Sequence, residues 1–137
     1  MKVKRIITSK IEHHAVLYTV LALQKEYDIQ VDYVAVRPNG EIDITHLVEL
    51  LSQEKKTLVS LMHVNNETGT ILDMERTGRI CKQYGAWFHS DTVQSIGKTE
   101  MDLQELPVDF IAASAHKFHG PKGVGFAFVR KNTGIQP

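Results

Sequence analysis

The chain has 137 residues, 42% of them apolar and 23% charged, with 16 basic side chains against 16 acidic ones. That length suffices for one globular domain with its own core, and the composition gives no call for disorder. Zero formal charge without a basic stripe argues against nucleic acid, and no apolar run approaches the roughly 18 residues of a membrane span.

The basic start Met1-Lys2-Val3-Lys4-Arg5 leads only to Ile6-Ile7, too short an apolar run for a signal peptide. Lys4 to Thr8 is expected to be a short strand. Ser9 to Glu12 then turns into a helix from about His13 to Tyr27, in which Val16, Val20 and Leu23 recur at helical spacing with Leu17 and Leu21 beside them. Val31 to Val36 is rich in β-branched and aromatic residues and reads as a strand, closed by the turn Pro38-Asn39-Gly40. Asp43 can cap a second helix whose Ile44, Leu47, Val48 and Leu51 share one face. Thr57 to Val64 is a further apolar strand and runs into the polar loop Asn65-Asn66-Glu67-Thr68-Gly69.

Asp73 is placed to cap a third helix, with Glu75 near its start, Lys82 in its last turn and Gly85 beyond its end. That is the order of charge and glycine that a helix dipole and C-cap favour. Ala86 to His89 is a strand ending at Ser90-Asp91. Lys98 to Pro107 reads as a loop with room for one helical turn. Asp109 to Ala113 and Gly123 to Val129 are the last two strands. Strands alternating with helices predict an α/β domain, three layers αβα, with a mostly parallel sheet. The last two strands are joined by about ten residues without a helix, too few for a crossover, so the final strand is expected to be antiparallel.

The stretch Phe110 to Gly123 organises this arrangement. A buried strand ends abruptly in Ser114, His116 and Lys117, and a Gly/Pro turn follows. A lysine carried into a pocket by a buried strand loses its proton more easily and becomes a nucleophile able to form a Schiff base. The plainer reading is a surface lysine at a strand end. Other polar residues also follow strands: His13 the first, Asn66 the strand from Thr57, Asp91 and Gln94 the strand from Ala86. In a parallel sheet these ends share one rim, where open α/β sheets bind ligands.

Each residue has a structural reading beside the functional one. Asp91 serves as a turn or cap aspartate, or pairs with a protonated ring nitrogen. His13 is a helix-start residue, or a flat ring that stacks on an aromatic one. Asn66 and Gln94 are loop amides, or hydrogen-bond donors to a ring substituent. Ser114 and His116 are turn residues, or phosphate donors. Taken together the set describes a pyridoxal phosphate site. Seven histidines raise a metal site as the rival, with His116 and His119 three apart and His63, His89 and Asp91 as candidate neighbours. No His-Glu-x-x-His or paired-cysteine spacing supports it, and no metal is expected. Gly120 to Gly125 precedes a strand, so it reads as a tight turn and not as a phosphate loop. Cys81, the single cysteine, excludes an internal disulfide, reads as a core residue and fits a reducing cytoplasm.

Four segments resemble the cysteine desulfurases, pyridoxal phosphate enzymes of the class V aminotransferase group. They are Glu12-His13-His14-Ala15-Val16, Met62-His63-Val64-Asn65-Asn66-Glu67-Thr68-Gly69, His89-Ser90-Asp91-Thr92-Val93-Gln94-Ser95 and Ser114-Ala115-His116-Lys117-Phe118-His119-Gly120-Pro121-Lys122-Gly123. The resemblance runs from about Ile6 to Arg130. It implies that Lys117 carries the Schiff base, that His13 stacks on the pyridine ring and handles protons, and that Asp91 binds the ring nitrogen. It further implies that Asn66 and Gln94 contact the ring oxygen or the substrate, and that Ser114 and His116 bind the phosphate. The implied activity takes sulfur from L-cysteine, leaves alanine and passes a persulfide to an acceptor protein for iron–sulfur clusters or thiolation, in a cytoplasmic homodimer. A selenocysteine lyase, a small-amino-acid aminotransferase or an inactive fragment serving as an interaction module are the alternatives. Thr92 stands where the family often has alanine, and its hydroxyl is expected to be tolerated. Family members are much longer and carry their persulfide cysteine and a substrate-carboxylate arginine elsewhere. The chain is therefore expected to be a partial large domain, without flanking segments or the small domain.

Overall fold

A computed structural model describes residues 3–135. Six strands form one sheet in the order β2-β1-β3-β4-β5-β6, with β1 Arg5–Thr8, β2 Gln30–Tyr33, β3 Thr57–Ser60, β4 Trp87–Asp91, β5 Phe110–Ser114 and β6 Gly125–Val129. All neighbours pair in parallel except β5 and β6, which are antiparallel, with Ala112 opposite Ala127. The short connection between them permits nothing else. The helices are α1 His14–Tyr27, α2 Ile44–Leu51 and α3 Met74–Gln83. Strand order reverses between β1 and β3, so right-handed crossovers put α1 on one face and α2 and α3 on the other. Among the described residues no helix is long and apolar enough to cross a membrane.

The expected caps are present. Asp43 accepts from the backbone N–H of Thr45 and His46, and Asp73 from that of Arg76. Gly85, just past α3, has a φ of +64°, the left-handed turn that favours glycine. The core lies on the α2/α3 face, where Leu47, Leu51, Met74 and Cys81 pack against Ile7, Val59, Phe88 and Ile111. These strand residues share one face because side chains alternate. Cys81 is 1% exposed, and burial, with the charge of Asp109 adding to it, pushes its thiol up to about 12. It is an inert core cysteine. Gly78 on α3 meets the Pro107 backbone so closely that a Cβ would lie 2.2 Å from the Pro107 carbonyl oxygen. The Arg130 guanidinium donates to the carbonyls of Leu103, Leu106 and Val108, which fixes the long loop before β5.

Several boundaries differ from expectation. The strand expected over Val31–Val36 stops at Tyr33, and Val36 makes only an isolated bridge to Ile42. The strand expected over Thr57–Val64 keeps regular pairing only to Ser60. Leu61 and His63 still donate to the carbonyls of His89 and Asp91, and Val64 bridges to Ile71. In both cases the chain peels away from the sheet to reach the next helix. In α1 only Val20 is buried, and Leu21 is 46% exposed.

Candidate functional site

A cleft of about 420 Å³ opens where the parallel strands end. His13, Asn66, Asp91, Gln94, Ser114, His116 and Lys117 all line it, together with Ala15, Met62 and Val93. Residues more than a hundred positions apart meet there because the strands share direction and the order reverses at β1 and β3.

Most of these side chains use one polar atom locally and leave another toward the cleft. His13 is the N-cap of α1: its Nδ1 accepts from the Ala15 N–H at 3.1 Å. In the neutral ring the proton therefore sits on Nε2. Asp91 ends β4 and is 9% exposed; its Oδ1 accepts from the Val93 N–H at 2.9 Å, a turn bond. Its Oδ2 makes no hydrogen bond among the described residues. Unlike Glu12 Oε2, it is not sealed from solvent: it belongs to a residue that lines the open cleft and is free to accept a donor there. The turn and cap readings of His13 and Asp91 thus hold at one atom of each residue and leave the second atom available.

Thr92, fully buried, donates its Oγ1–H to the Ala112 carbonyl at 2.9 Å, which pins the turn after β4 to β5. The hydroxyl is accommodated. Ser114 ends β5, and its Oγ lies 2.8 Å from His116 Nδ1. His116 and Lys117 sit on a single 3-10 turn, Ala115–Lys117. The glycine turn beyond it closes tightly, with the Gly120 N–H donating to the Ala115 carbonyl. Asn66 is exposed and donates its amide to Glu67 Oε1 at 2.7 Å, keeping its carbonyl oxygen free. Gln94 is half-buried on the turn after β4.

One expectation needs correction. Lys117 is exposed, so the buried environment expected to desolvate it is not formed by this chain. The strand stops three residues short of it, and the lysine stands at the open wall of the cleft. Of the histidines weighed for a metal, His89 pairs its Nδ1 with Ser60 Oγ at 2.9 Å, and burial lowers the pKa of both His63 and His89. Among the described residues, no group of three or more His, Cys, Asp or Glu is placed to hold a metal.

Comparison with known proteins follows the same lines. The family model described as aminotransferase class-V matches residues 2–136. The chain belongs to the class-V aminotransferase family. The cysteine desulfurase IscS of Pectobacterium carotovorum subsp. carotovorum (strain PC1) is 47% identical over 135 residues, 98% of this chain and 33% of the relative. A solved NifS-like protein matches with a TM-score of 0.91 at 44% identity, covering 98% of this chain and 37% of that one. SspA in complex with cysteine matches with a TM-score of 0.88 at 33% identity, covering 96% and 37%. The chain spans about one third of the length of the curated relatives it matches.

In this class-V aminotransferase chain, sequence reasoning passed over Met62 and Glu12. Met62 is a buried residue at the exit of β3 that closes the cleft floor. Glu12, next to His13, is 5% exposed, and burial raises its pKa from 4.5 to about 7, with the negative charge of Asp91 adding to the shift. The spacing Ser9-x-x-Glu12 was the available signal, since it is the pattern of a reciprocal side-chain turn.

Proposed function

We propose that this chain is the cofactor-binding core of a pyridoxal phosphate-dependent cysteine desulfurase. The observation that carries the proposal is the single cleft lined by His13, Asn66, Asp91, Gln94, Ser114, His116 and Lys117. Matches to proteins named cysteine desulfurase at 47% and 44% identity support it.

The donor set fits that cofactor. Asp91 has one carboxylate oxygen held by the Val93 N–H and the other free to accept in the cleft, which suits it to pair with a protonated ring nitrogen. Pyridoxal phosphate, when bound, supplies a carbonyl that captures amines and a ring that accepts electrons. Asp91 would keep the ring nitrogen protonated. His13, held by its cap bond, would stack its imidazole on the ring and offer Nε2 for proton transfer. Ser114 and His116, paired with each other, would hold the phosphate. Gln94 could donate to a ring oxygen, and Asn66, whose amide donates to Glu67 in this structure, could reach the ring oxygen or substrate through its remaining amide hydrogen or its free carbonyl oxygen. Lys117 offers the Nζ amine, and its exposure keeps that amine reachable by an incoming carbonyl.

L-cysteine is the substrate on this reading, and an acceptor protein in iron–sulfur assembly or thiolation receives the sulfur. Cys81 cannot be the sulfur carrier, because it is buried and its thiol is held far from ionisation. The carrier thiol therefore belongs to residues outside this chain, within a longer homodimeric enzyme of a reducing cytoplasm, of which residues 1–137 form part of the large domain.

The test is made on the intact protein containing this chain. Pyridoxal phosphate is added, excess is removed, and the adduct is fixed with borohydride and mapped by peptide mass. A single adduct on Lys117, with none in Lys117→Ala, is expected. An adduct spread over surface lysines, or one surviving in Lys117→Ala, overturns the assignment.

A further inference from the structure

His13 and Asn66 reach the cleft from loops that leave adjacent strands in different directions. After β1 the chain turns toward α1, on one face; after β3 it loops toward α3, on the other. β1 and β3 are joined by their parallel ladder and by α2 packing on Ile7 and Val59, but that ladder ends at Ile7 and Val59, short of His13 and Asn66. Beyond the ladder, side-chain bonds link the two exit loops. Glu12 Oε1 accepts from Ser9 Oγ–H at 2.9 Å and from the Met62 N–H at 3.0 Å, across 50 positions of sequence. Asn65 Nδ2 donates to the Ile11 carbonyl at 2.8 Å, and its Oδ1 accepts from the backbone N–H of Glu67 and Thr68. Glu12 immediately precedes His13, and Asn65 immediately precedes Asn66.

We propose that Glu12 is a positioning residue that sets the distance and orientation between the His13 and Asn66 walls of the cleft; this rests on the pyridoxal phosphate reading above. Three observations support it. The carboxyl is buried, so it is not a solvating surface group. One of its bonds crosses to the Met62 N–H at the opposite strand exit, the other stays with Ser9 on its own loop, and neither is to a helix end, so it does not serve as a cap. Its second oxygen, Oε2, is buried without a partner, a cost that the two bonds at Oε1 do not remove. A residue kept only for packing would be better served by an apolar side chain of the same shape.

Because both bonds go to one acceptor oxygen, the clamp needs an oxygen acceptor and not a charge. Glu12→Gln retains that acceptor, and Glu12→Ala removes it. The experiment is done on the intact protein with three readouts: the dissociation constant for pyridoxal phosphate by spectral titration, the visible absorbance of the bound cofactor, and the imidazole proton resonances of His13 in the cofactor-free protein. Glu12→Gln is expected to bind the cofactor within about twofold of wild type with the same spectrum. Glu12→Ala is expected to bind at least tenfold more weakly and to shift or broaden the His13 resonances before any cofactor is added. Should Glu12→Ala fail to fold, Ser9→Ala removes one of the two donors and is expected to weaken binding about threefold. Equal weakening in Glu12→Gln and Glu12→Ala, or unchanged His13 resonances and affinity in folded Glu12→Ala or in Ser9→Ala, overturns the proposal. Failure of wild type to bind pyridoxal phosphate, with His13 still responding to Glu12→Ala, defeats the cofactor reading and leaves the clamp standing.

Discussion

On one face of the sheet, Ile7, Val59, Phe88 and Ile111 lie under α2 and α3 and are at most 1% exposed. On the other, Ile6, Thr8 and Ser60 are buried, but Leu58, Trp87, His89, Phe110 and Ala112 are half-buried, and α1 contributes a single buried side chain, Val20. The polar ends of this second face, Asp91 and Ser114, enter the cleft. The difference follows from strand alternation. One set of side chains supplies the apolar burial, and the other is free to carry groups whose burial is expensive. The fold therefore keeps its stability and its chemistry on separate sides of one layer, joined at the crevice between β1 and β3.

The largest break of that comparison is made on the packed side. Phe88→Ala removes a fully buried aromatic ring between α3 and the sheet and is expected to cost ~3–5 kcal/mol by denaturant unfolding. Trp87→Ala, the neighbour pointing to the opposite face, is half-buried and is expected to cost clearly less. Equal losses would mean that the two faces are packed alike, and the division of labour would fall.

Glu12 sits at the junction and gives the next effect, which depends on pH. Its folded pKa of about 7 lies above the ordinary 4.5, so its contribution is fully present below pH 4.5 and is lost as pH rises through 7. The facing charge is that of Asp91 on β4, and Glu41, Asp73 and Arg76 line the small cavity behind it. Wild type is expected to lose roughly 3 kcal/mol relative to Glu12→Gln between pH 4.5 and pH 8. Unfolding midpoints of the two proteins measured in parallel across that range check it. Parallel curves would show that the carboxyl ionises freely and that the junction is wetter than the geometry shows.

Much of this plan is legible in the sequence, because local chemistry dictates it. Asp43 and Asp73 precede apolar runs at helical spacing, and both cap the helices that follow. The ten-residue link between β5 and β6 leaves room only for an antiparallel return. The gathering of the site residues on one rim follows from strand direction alone. What stays hidden depends on distant partners. The partner of Glu12 is Met62, whose backbone N–H carries no sequence signature. The exposure of Lys117 depends on which residues stand opposite it, and no local pattern at Ser114 to Gly120 encodes them. The early end of regular pairing in β2 and β3 reflects the geometry of leaving a sheet, while the β-branched pattern continues to Val36 and the apolar stretch to Val64.

Thr92→Ala is the smallest and most local test, on the turn that holds Asp91 in place. Thr92 is fully buried, and its hydroxyl donates to the Ala112 carbonyl, which also accepts from the Thr92 backbone N–H at 3.0 Å. Removing the hydroxyl therefore leaves no orphaned acceptor on β5, and the cost should be that of one net hydrogen bond, about 1 kcal/mol. Asp91 keeps its own bond to Val93, so cofactor affinity should change by less than threefold. A loss well beyond that in stability, accompanied by weaker cofactor binding, would mean that the turn after β4 depends on the side chain and not on the backbone pairing of β4 with β5. The chemical face of the sheet would then be carrying structural weight that the packed face was argued to supply.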